Sequence, residues 1–150
     1  MRYKPNNREE LIALCDDKNI YLGDIDTSLI TDMSGLFCCS SREDFSGIES
    51  WDVSNVEDMS HMFEASSFNQ PIDSWNVSKC KNMSEMFCSS LFNQPLSSWD
   101  VSRVENMCGM FRDTYFNHPR SFWNVSNVKD MSEMFYSSLF NQPLSSWDVG

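Results

Sequence analysis

Tryptophan stands at positions 51, 75, 99, 123 and 147, a constant step of 24 residues. A segment of that length cannot close a core alone, so the repeat constrains the fold more than any other feature of the chain. Other apolar residues keep the same step. Val53, Val77, Val101, Val125 and Val149 follow each Trp by two, and Met59, Met83, Met107 and Met131 form a column. Met62, Met86, Met110 and Met134 form another, followed at once by Phe63, Phe87, Phe111 and Phe135. Phe68, Phe92, Phe116 and Phe140 come five residues later, each before "NQP" or "NHP". Upstream, Met33 and Phe37 match Met59 and Phe63 at a step of 26, which implies two extra residues in one loop.

Stacking lets each segment cover the apolar face of the next, and the pattern predicts a solenoid of about five coils, rising roughly 4.8 Å per coil. Within residues 75–98 the Trp–Val alternation predicts a short extended stretch. "NMSEMF" predicts a very short helix, capped by Asn82 with Glu85 closing a capping box, and by Asp130 with Glu133 in a later copy. Met83, Met86 and Phe87 would then share one helical face. The expected class is therefore an α/β repeat solenoid, each coil carrying short strands and a short helix. Residues 25–150 form the array, and 1–24 an N-terminal cap whose helix starts at Asn7, runs to about Asp17 and turns Leu11, Ile12 and Leu14 inward.

Asn69, Asn93, Asn117 and Asn141 form an unvarying polar column, and with Trp51, Trp75, Trp99, Trp123 and Trp147 are expected to act as a structural ladder. Glu57, Lys81, Glu105 and Lys129 alternate in sign, while Asp52, Asn76, Asp100, Asn124 and Asp148 alternate charged with neutral. Both patterns avoid facing like charges across adjacent coils. The unit of duplication is thus a pair of coils: residues 83–101 and 131–149 differ only at Cys88 against Tyr136.

Formal net charge is −11. An acidic chain without clustered Lys or Arg argues against nucleic acid or an anionic membrane surface as a direct partner. No apolar run is long enough to span a membrane and no signal-peptide h-region appears, so the expected location is cytoplasmic. The six cysteines show no zinc-type spacing, and neither metal nor cofactor is expected. Vicinal Cys38–Cys39 could be redox-active or simply fill an irregular loop. His61 falls in a variable column, and no nucleophile motif accompanies either histidine, so no catalytic residue is assigned.

The segment 112–122 departs from the repeat. Arg112, Tyr115, His118, Arg120 and Phe122 are off-pattern, and with Tyr136 they are the candidate partner-binding residues. Uncompensated rule-breaking often marks function, and Tyr, Arg and Phe suit interface anchors. The structural alternative is repeat decay. The chain also ends within a repeat, which allows self-association through an uncapped edge.

"FNQPLSSWDVSRVENMCGMF", residues 92–111, resembles the BspA-like surface repeats found in mycoplasma lipoproteins and many gut bacteria. The resemblance covers residues 25–150. It implies a distant relation to leucine-rich repeats, a right-handed solenoid, protein interaction often at a cell surface, and no shared catalytic residues. It would also place the chain at the surface if a non-classical route exports it. The leading expectation is a non-enzymatic scaffold for a protein partner. An acidic inhibitor or immunity-type protein occupying a basic site is the alternative, and a thiol-dependent enzyme a weaker one.

Overall fold

The computed structural model describes residues 2–118 and 123–141. Consecutive 24-residue coils lie one over another, joined by backbone hydrogen bonds through every second N–H of the Met–Phe segment. Met83, Glu85, Phe87 and Ser89 donate to the carbonyls of Asn106, Cys108, Met110 and Arg112 at 2.8–3.0 Å. The N–H groups between them fold back: Met86, Cys88 and Ser90 donate to Met83, Glu85 and Phe87. The same alternation links Met33–Cys39 to the coil of Asp58–Glu64, and Met107–Asp113 to that of Asp130–Tyr136.

This arrangement overturns the expected α/β class. Among the described residues there is one α-helix, α1 (Arg8–Asp16), and no sheet. Among the described residues, apart from the bridge Tyr3–Ile25, strand character is the run of isolated parallel bridges Asp32–Asp58, Asp58–Asn82, Asn82–Asn106 and Asn106–Asp130. The short helix expected in "NMSEMF" does not form. An α-helix directs its N–H groups along itself, whereas here half of them are needed by the neighbouring coil. The reorientation comes from positive φ at Glu85 (53°) and Ser89 (57°), repeated at His61, Ala65, Asp113, Glu133 and Ser137 and at Gly35 and Gly109. Glu85 is the third residue of the 83–86 turn, where positive φ is the type II signature. The capping box is absent too. Asn82 Oδ1 accepts from Ser84 N–H, closing an Asx turn, and Asp58, Asn106 and Asp130 do likewise. The extended stretch expected after Trp is a turn as well, closed by Cys80 N–H to Val77 O and Val104 N–H to Val101 O.

Positive φ costs a non-glycine residue about 1–2 kcal/mol. Ala65 has φ 54° and an exposed side chain. Glycine there removes that strain but adds unfolded-chain freedom, so Ala65→Gly is expected to raise Tm by about 2 °C and Ala65→Val to lower it. Thermal melting of the two variants checks this.

The core is one continuous cluster that includes Trp51, Trp75, Trp99 and Trp123. Each indole N–H donates to a carbonyl of the preceding coil: Leu22, Ile48, Ile72 and Leu96, at 2.8–3.2 Å. Phe37, Phe63, Phe87, Phe111 and Phe135 stack ring over ring at 5.7–5.8 Å. Phe68, Phe92, Phe116 and Phe140 form a second column beside them.

At the N-terminal end, Asn7 Oδ1 caps α1 through Glu10 N–H. Leu11 and Cys15 are buried at i and i+4, while Ile12 and Leu14 are partly buried against the same core. The two extra residues of the first coil fall in the loop that carries Arg42, which is 5 % exposed. Its guanidinium donates to the carbonyls of Cys15, Asp17, Ile20 and Asp44. Three of these lie at the end of α1 and just beyond it, where carbonyls have no helical partner. One side chain thus holds the helix to the array.

Candidate functional site

The Met–Phe turns present two kinds of side chain outward. Charge is carried by His61, Glu85 and Glu133 among the positive-φ positions and by Glu64 and Arg112 three positions on, and apolar bulk by Leu91, Tyr115 and Leu139 six positions on.

The charged group begins with Arg112. It reaches Glu133 at 2.8 Å and Glu85 at 3.4 Å, bridging the coils on either side. Contacts with Cys88 first, and then with Glu133, hold its guanidinium firmly protonated. Glu85 Oε2 lies 3.7 Å from His61 Nδ1, and that nitrogen is also hydrogen-bonded to Glu64 Oε2. His61 is half-exposed (44 % for its side chain).

The apolar group is a line. Leu91, Tyr115 and Leu139 occupy one position in three consecutive coils and are 54 %, 60 % and 64 % exposed. Tyr136, three residues before Leu139, is 63 % exposed. The two earlier coils have Ser41 and Ser67 at that position. Backbone bonds from Leu91 to Ser66 O and from Leu139 to Thr114 O fix the register.

Of the candidate residues, Arg112 sits in the charged group, and Tyr115 and Tyr136 in the apolar line. His118 lies apart on the asparagine edge, its Nε2 3.1 Å from Asn93 O and its ring beside Phe116. Arg120, Phe122 and Trp147 fall outside the described residues, as does the terminal edge of 142–150. The asparagine column forms a ladder at an exposed edge: Asn93, Asn117 and Asn141 N–H donate to Oδ1 of Asn69, Asn93 and Asn117. The alternating column forms the ion pairs Lys81–Glu57 and Lys129–Glu105 at 3.4 and 3.0 Å. Leu91 and Leu139 were missed because they belong to the unvarying "SSLFNQP" text. The readable signal was the change down their column from Ser to Leu and Tyr.

Three of the thiols, Cys15, Cys38 and Cys80, are poorly disposed to ionise. Burial raises Cys15 and Cys80 to about 12. Desolvation, and then the neighbouring Cys39, raises Cys38 to about 11. An open groove lined by Asp73, Trp75, Ser98 and Asp100 contains no His or Cys. Among the described residues no helix is long and apolar enough to cross a membrane.

The sequence matches the model of a protein family described as "Mycoplasma protein of unknown function, DUF285", over residues 7–111 and again over 88–150. The overlap of the two matches is about one coil, as a repeating sequence allows. No curated protein and no solved structure matches the chain.

Proposed function

From the premise that the chain belongs to the Mycoplasma family DUF285, we propose that it is a non-enzymatic scaffold binding a protein partner through Leu91, Tyr115, Tyr136 and Leu139. The observation that supports this reading is the line itself: Leu91, Tyr115 and Leu139, each more than half exposed at a position that carries serine in the two earlier coils, with Tyr136 as exposed three residues before Leu139. Rigid backbone beneath them lowers the ordering cost of binding, and tyrosine is a favoured hot-spot residue. The raised thiols of Cys15, Cys38 and Cys80 disfavour those three as nucleophiles, because the thiolate is the nucleophilic form. Kinship with BspA-like surface repeats belongs to the same proposal and points to partners met at a cell surface.

A second reading rests on charge. With 22 acidic against 11 basic residues, the chain could occupy a basic site on its partner. Salt separates the two, since steered acidic contacts weaken steeply with ionic strength and apolar anchors do not.

The expected result is that a host protein retained by the wild type is lost by Tyr115→Ser with Tyr136→Ser. The affinity should fall at least about 30-fold, as for loss of one hot spot. Tm should change little, because both rings are already largely in water. Retention that survives both substitutions but vanishes in high salt would favour the acidic reading.

A further inference from the structure

We propose that His61, Glu64 and Glu85 form a binding site for a divalent transition-metal ion, zinc fitting best, that ties two consecutive coils together. His61 Nδ1 and one carboxylate oxygen from each glutamate lie within 4.8 Å of one another, all on half-buried residues. Two donors about 2.1 Å from a tetrahedral zinc sit roughly 3.4 Å apart. The His61–Glu85 separation of 3.7 Å is already close to that edge, and the His61–Glu64 pair at 2.5 Å has only to open. Small side-chain rotations therefore complete the set.

The backbone beneath these donors is fixed. His61 and Glu85 hold the same place in adjacent coils, with φ 58° and 53°, and each N–H is bonded to the following coil, at Ser84 O and Cys108 O. Their side chains leave the array from equivalent turns, and Glu64 comes up three residues after His61. An imidazole with two carboxylates suits zinc better than calcium or magnesium, which take oxygen ligands only. Two carboxylates and a neutral imidazole balance the ion's charge and leave a position for water. This juxtaposition does not recur in the other columns. The positions equivalent to His61 hold Gly35, Glu85, Gly109 and Glu133, and those equivalent to Glu64 hold Cys38, Cys88, Arg112 and Tyr136. It is the sole such cluster among the described residues.

Arg112 competes for Glu85, but Glu133 holds it more closely. A metal ion arriving at Glu85 would leave Arg112 on Glu133, and removing the guanidinium should strengthen the site.

The test is calorimetric titration of the reduced full chain with zinc chloride. One saturable equivalent is expected, weakened at least about tenfold by His61→Ala and by Glu85→Gln. Arg112→Leu should tighten it, and Cys38→Ser should leave it within a few-fold. Imidazole NMR of the wild type should show zinc shifting the His61 ring and not that of His118, a readout independent of how any variant folds. The proposal is overturned if no single-equivalent binding occurs, if His61→Ala and Glu85→Gln leave it unchanged, or if the His61 ring does not respond.

Discussion

Arg42→Met is expected to destabilise the chain by about 3–5 kcal/mol, lowering Tm by roughly 6–15 °C. The substitution keeps much of the apolar stem and removes four hydrogen bonds to carbonyls, of which the one to Cys15 is fully buried. A buried acceptor left without a donor costs about 1–3 kcal/mol, more than the bond itself contributes in net terms. A domain of this size is stable by only about 5–15 kcal/mol. The loss should also be local at first, with hydrogen exchange rising in α1 and at Ile20 before the Phe columns. Arg42→Lys should recover only part, since an ammonium cannot fan across carbonyls on both sides. A Tm change below about 2 °C for Arg42→Met would show that the cap is held by its apolar contacts alone.

Phe87→Ala should cost a similar amount, about 3–5 kcal/mol. Phe87 is fully buried and packs between Phe63 and Phe111 at 5.8 and 5.7 Å, with Phe92 4.1 Å to the side. A cavity there interrupts both aromatic columns, and neighbouring coils cannot collapse into it because their backbones are tied by the Met–Phe bonds. Phe135→Ala, at a partly buried position of the last described coil, should cost distinctly less. Chemical denaturation of the two variants measures the difference, and equal losses would contradict the lower burial of Phe135.

The stacking of equivalent residues was legible in the sequence because apolar columns need no secondary structure to line up, only a constant coil length. Trp51 to Trp123 and the two Phe columns follow directly from the 24-residue step. The α/β reading failed on the local rule. Met83, Met86 and Phe87 have helical spacing, and Asn82 with Glu85 has cap spacing, but both patterns also suit consecutive turns whose alternate N–H groups leave the segment. The discriminating signal was present in one column: Gly35 and Gly109 stand where Glu85 and Glu133 stand, and repeated glycine at one turn position asks for positive φ. The charged group was half legible. Arg112 stood out as a departure from the repeat, whereas its partnership with Glu85 and Glu133 depends on side-chain reach across coils, which no single copy reveals. Leu91 and Leu139 were hidden by regularity, since a residue that obeys its repeat gives no sign of which way it faces.

The cross-coil bonds from Met83, Glu85, Phe87 and Ser89 point from one layer to the next, as do those of the layers around them. Tension applied along that direction would load each layer's bonds together, but the layers one after another, like links in a chain. A tether at each end should therefore stretch the protein in steps, releasing about 24 residues at a time, and the weakest layer would set the force at which lengthening begins.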